Sequence, residues 1–127
     1  MGTKCSCECG TAPTLIFSCS GAADVGEMAD QAARSLTREG KGKMFCLAGI
    51  GGRVSGIMKT TEAAAKILAI DGCPLNCARK SLEEAGFKDF IHLGLADMGL
   101  KKGETTLDQT SLERVIDEAT RLLKQEK

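Results

Sequence analysis

Cys19, Cys46 and Cys73 stand 27 residues apart, and Cys77 follows Cys73 by four. Sulfur raises two kinds of chemistry: thiolates bind soft metal ions, and a thiolate of lowered pKa is a nucleophile or half of a reversible disulfide. Four thiolates meeting at one point suit tetrahedral Zn²⁺, with an iron–sulfur cluster or Cu(I) as alternatives. Such a closed shell leaves no position for a reactive water, and no Asp, Glu or His stands out as a general base. A role in metal sensing, storage or delivery is therefore expected ahead of catalysis.

Other groups carry weaker signals. Cys5, Cys7 and Cys9 form a CxCxC run suited to capturing or handing over a soft ion, or else a tail with incidental thiols. Gly49-Ile50-Gly51-Gly52-Arg53 offers backbone amides that can form an anion nest, although a tight turn beside the metal site is the plainer reading. His92, the one histidine, falls inside a strand pattern and reads as a core or edge residue. Asp97, nearer that strand's end, is the better polar candidate for supporting the site.

The spacing of the cysteines acquires meaning from the elements that carry them. Leu15-Ile16-Phe17 is a short apolar run stopped by Ser18-Cys19-Ser20-Gly21, as expected for a strand buried on both faces. Lys43–Ala48, Ile67–Ile70 and Phe90–Leu95 read as three more strands. Between them, Val25 to Leu36 has helical periodicity behind an Asp24/Glu27 capping box, and a loop with a broken helix fills Val54 to Lys66. A third helix is expected from Cys73, with Pro74 in its first turn, to just before Gly86. It would put Cys73 and Cys77 on one face beside the helix N-terminus. Leu112 to Leu123 forms a terminal amphipathic helix behind a Thr110/Glu113 box.

Alternating strands and helices predict an α/β fold: a three-layer α/β/α sandwich on a mostly parallel four-stranded sheet, Rossmann- or flavodoxin-like. Ligands of such sheets bind beyond the carboxyl ends of the strands, where Cys19, Cys46 and Cys73 fall. Strands lie about 4.8 Å apart, so the first strand must sit between the second and third for Cys46 and Cys73 both to approach Cys19. The expected order is 2-1-3-4. Residues 1–12 read as a flexible cysteine-rich arm and 13–127 as a single metal-binding domain, a length that buries about two-thirds of the unfolded chain's surface.

Composition narrows the partners. Lys plus Arg and Asp plus Glu each total 17, and aromatics make up only 3%, so neither a field nor a stacking surface favours nucleic acid. No run approaches 18 apolar residues, so no membrane partner is expected. The amino terminus shows cysteines where a signal peptide has an apolar core, which points to the cytoplasm, where thiols stay reduced.

Two resemblances complete the reading. Cys73 to Arg79, Cys-Pro-Leu-Asn-Cys-Ala-Arg, is a C-x5-R pattern that resembles the signature loop of cysteine phosphatases and arsenate reductases. That alternative is an enzyme in which loop amides and an arginine hold an oxyanion; a CxxxC redox pair is its other form. Pro74 lacks one such amide, and the loop has no internal glycine to wrap an anion. Over nearly the whole chain, the segments Phe17-Ser18-Cys19-Ser20-Gly21, Cys46-Leu47-Ala48-Gly49-Ile50-Gly51-Gly52 and Asp71-Gly72-Cys73-Pro74-Leu75-Asn76-Cys77-Ala78 resemble the DGC-domain family, named for its Asp-Gly-Cys. That resemblance implies zinc held by four cysteines, which fall by motif on Cys19, Cys46, Cys73 and Cys77, and it implies no particular activity.

Overall fold

The structure, a computed structural model, describes residues 12–125. Cys5, Cys7 and Cys9, and with them almost all of the expected arm, lie outside the described residues. The elements run β1 (Thr14–Ser18), α1 (Asp24–Arg38), β2 (Lys43–Met44), α2 (Leu47–Gly51), α3 (Ser55–Glu62), β3 (Lys66–Asp71), α4 (Cys77–Glu84), β4 (Ile91–Gly94) and α5 (Gln109–Gln125). A 3-10 turn, Leu95–Met98, follows β4. The strands form one parallel sheet in the order β2-β1-β3-β4, with β1 between β2 and β3, as expected from the cysteine spacing.

Both faces of the sheet are buried, which is why its central strands read as unbroken apolar runs. Ile16, Leu68, Ile70 and Leu93 point to one side and pack on Val25, Met28 and Ala32 of α1 and Val115 and Ala119 of α5. Leu15, Phe17, Ile67 and Ala69 point to the other, against Ile50 of α2 and Ala78 and Leu82 of α4. Three layers result, and the loops at the carboxyl ends of the strands are left to build a site.

Several local boundaries differ from the sequence reading. The second strand ends at Met44 instead of Ala48, because after Phe45 N donates to Ile16 O (2.8 Å) the chain turns at Cys46 into the short α2. The third helix begins at Cys77, not Cys73. Asn76 adopts a left-handed φ of 55°, which a continuous helix through Pro74 cannot include, so Cys73 lies in a turn and shares no helix face with Cys77. Helix α5 is capped by Asp108, whose Oδ1 accepts from Ser111 N (2.8 Å), and not by Thr110.

Asp24 is not a capping residue either, since Ala23 holds the N-cap of α1. Its carboxylate accepts from Val25 N (2.8 Å) and from two distant amides, Gly103 N (2.9 Å) and Thr105 N (3.0 Å). These bonds, that from Gly103 foremost, hold the Asp24 carboxyl below the usual carboxylate range. A depressed folded-state pKa means that the latch contributes fully above the ordinary carboxylate pKa of about 3.9 and is lost as pH falls through the lowered value.

Two glycines are dictated by contact. A Cβ on Gly72 would stand 2.5 Å from the backbone of Val25, and one on Gly26 would stand 2.6 Å from Gly21 O. Neither neighbour is a flexible tip that can move aside, so the loops after β1 and β3 approach backbone to backbone at the first turn of α1. Gly72→Ala is expected to lower unfolding free energy by about 2–3 kcal/mol in denaturant melts. The stability difference between the protein and Asp24→Asn should be largest near neutral pH and shrink steadily below about pH 3.9 in the same melts.

A thiol cavity at the carboxyl edge of the sheet

Asp71, the last residue of β3, organises this edge. It is 1% exposed. Its Oδ1 accepts from Ala78 N (2.7 Å), and its Oδ2 from Arg79 N (3.0 Å) and pairs with His92 Nε2 (2.9 Å). The strand end thus supplies the carboxylate that caps α4, where no side-chain cap comes from Asn76 itself. Between strand and helix the chain must make a tight turn, and Cys73 sits in it.

Cys19 continues β1 by one residue, its N–H donating to Ile70 O (3.1 Å). Its Sγ in turn accepts from Gly72 N (3.3 Å), so the glycine that touches α1 also holds the first sulfur. A cavity of about 470 Å³ opens here, lined by Cys19, Cys73 and Cys77 with Val25, Leu75, Asp71 and Lys102. Cys46 lies in an adjoining cleft of about 500 Å³ together with Ser18, Ser20, Asp30, Arg34 and Ser81, and Cys19 lines that cleft too. Cys19 and Cys73 are partly buried against the α1/α5 core, whereas Cys46 and Cys77 are exposed; all four thiols are free.

The donor set is one of sulfur, which fits a soft ion, and the amide on Cys19 Sγ is the kind of hydrogen bond that orients a ligand sulfur. Among the described residues, no three His, Cys, Asp or Glu side chains stand close enough together to hold a metal ion. Cys19, Cys73 and Cys77 share a cavity wall and Cys46 lines the adjoining cleft, without the four closing on one point.

Other candidates from the sequence are engaged elsewhere. The amides expected of an anion nest are used within α2 and the turn after it, with Gly52 N donating to Ala48 O and Arg53 N to Ile50 O. Gly49 packs closely on Ile57, whose Cδ1 a Cβ there would meet at 2.2 Å. The Arg53 guanidinium donates to Ile50 O, Gly51 O and Glu84 O, closing the ends of α2 and α4. Arg79 pairs with Glu83 on the exposed face of α4 (3.3 Å), and its amide, like that of Ala78, is taken by Asp71. The protein's own carboxylate therefore sits where a C-x5-R loop would hold its oxyanion. Asp97 folds back over Gly94 and lines neither cleft.

Sequence reasoning named Asp71 only within the Asp-Gly-Cys motif and gave it no role of its own. The signal was present: a carboxylate closing a doubly buried strand must find donors, and the nearest free ones are helix amides. A chain from Ser18 through Ser20 Oγ (2.7 Å) to Asp30 (2.8 Å) and Arg34 (2.7 Å) was also unforeseen, and Ser20 takes a left-handed φ of 50° within it.

Comparison with known proteins gives two matches. The sequence model of the DGC domain matches residues 15–119. The chain is 38% identical over 111 residues to the anaerobic and virulence modulator AnvM of Pseudomonas aeruginosa, covering 86% of this chain and 84% of that protein. No solved structure matches the chain.

Because Asp71 is buried and serves three donors, Asp71→Ala should cost about 2–4 kcal/mol of stability in denaturant melts. Native-state hydrogen exchange should quicken first at the Ala78 and Arg79 amides, the two that lose their acceptor.

Proposed function

This chain belongs to the DGC domain family, and from that premise we propose that it is a thiolate metal-binding protein. It holds one Zn²⁺ through Cys19, Cys46, Cys73 and Cys77 and serves in sensing, storing or delivering metal. The observation that carries this reading is the cavity wall shared by Cys19, Cys73 and Cys77, with Cys19 common to the cleft of Cys46.

Cys19 and Cys73 are the fixed half of the site, since both pack on the core and Cys19 is held by the Gly72 amide. Cys46 and Cys77 are the exposed donors that come to them, each at the start of a helix. A site with two donors held on the core and two exposed to solvent can take up and release an ion, as a sensor or carrier needs. Zinc at four thiolates would supply charge and cross-linking there, with no open position for water. The name of the relative AnvM, a modulator, agrees with a regulatory role. The oxyanion alternative is disfavoured by Asp71, which occupies the amides it needs.

Protein purified without chelator should carry about one zinc per chain by elemental analysis, and Cys19→Ser or Cys73→Ser should reduce that content below about a tenth. Replacing Cys5, Cys7 and Cys9 together by Ser should leave it unchanged. Zinc far below one equivalent in the unaltered protein, or equal losses from the two sets of variants, would refute the fourfold site.

A further inference from the structure

The loop that follows the 3-10 turn is anchored by Leu100 in the core and, beyond it, by Asp24. Asp24 accepts from Gly103 N and Thr105 N, 79 and 81 residues further along the chain. Thr105 Oγ1 and Glu104 N both donate to Lys101 O (2.7 and 3.1 Å), which closes residues 101–105 into a compact strap. Asp24 begins the helix whose next residue, Val25, lines the thiol cavity, so the latch presses the strap against the cavity's own wall.

The strap brings Lys102 into the lining of that cavity beside Cys19, Cys73 and Cys77. Two charged residues line it, Asp71 and Lys102. The Asp71 carboxylate is buried and bonded to Ala78 N, Arg79 N and His92, and among the described residues Lys102 makes no salt bridge. The walls are otherwise mainly glycine, alanine, valine and leucine. Lys102 itself is exposed, so its ammonium acts at the cavity's solvent side, where its salt-screened field favours an approaching anion over a neutral molecule.

We propose that Lys102, positioned by Asp24, is the cation of the thiol cavity. It offsets the charge of −2 that four thiolates leave around a divalent ion, and it draws small anionic, sulfur-reactive molecules into the cavity ahead of neutral ones. The first consequence rests on the zinc reading given above. The second does not, because it follows from the cavity and its ammonium alone.

The test compares iodoacetate with iodoacetamide on the full chain, as purified and after chelator treatment, reading each cysteine by peptide mass spectrometry. In both reactions a thiolate displaces iodide from carbon, one S–C bond forming as one C–I bond breaks. Both reagents meet the same thiolate, so the ratio of their rates reports the field and not the thiol's reactivity. Lys102→Gln should lower the iodoacetate/iodoacetamide ratio at Cys73 and Cys77 by about threefold to fivefold and remove its dependence on salt. Lys102→Arg should retain the ratio, Asp24→Asn should lower it part of the way, and Cys46 in the neighbouring cleft should not respond. Chelator competition should show zinc held about threefold to fivefold less tightly in Lys102→Gln. An unchanged ratio in Lys102→Gln overturns the proposal whether or not zinc is bound, whereas a changed ratio without zinc would overturn the metal reading alone.

Discussion

The backbone of Gly72 lies against the first turn of α1, so close that a Cβ would overlap Val25, and the carboxyl edge of the sheet is arranged around that contact. It brings the turn after β3 against the helix that follows β1. The same residue gives its N–H to Cys19 Sγ, and the next residue in the chain is Cys73. A side chain at 72 would part the two loops and with them the two sulfurs that rest on the core. In the Asp-Gly-Cys sequence, the glycine is thus a spacer of zero size between two thiol-bearing loops.

The aspartate of that sequence performs the complementary task. By accepting from Ala78 N and Arg79 N it closes the N-terminus of α4 from within, and by pairing with His92 it joins β3 to β4 below the site. A helix N-terminus beside a cysteine often serves an anionic substrate. Here the protein's own carboxylate has that place, and the chemistry left at the edge is that of sulfur. Asp24 repeats the pattern at α1, where a carboxylate in the first helical turn fastens a strap from far along the chain.

Much of this was legible in the residues. The apolar runs ending in Cys19 and near Cys73 are long enough only for strands, and the limit that one strand gap sets on a shared site led to the order β2-β1-β3-β4. What could not be read was set by competition between local signals. Pro74 marks a helix start as readily as it marks a turn, and the left-handed Asn76 decided for the turn, moving the helix to Cys77. Asp24 and Thr110 carry good capping patterns, but Asp24 found partners in a distant loop and Asp108 was better placed for α5. Such outcomes depend on tertiary contacts that no window of sequence contains. The role of Asp71 was hidden for the same reason, since its donors lie seven and more residues ahead.

The proposed site would hold one soft ion through sulfurs from three βα junctions. X-ray absorption at the zinc edge, on protein loaded with one equivalent, counts those sulfurs directly. Four sulfur neighbours at about 2.3 Å are predicted, falling to three in Cys46→Ser. A first shell containing nitrogen from His92, or oxygen in place of sulfur in the unaltered protein, would contradict it.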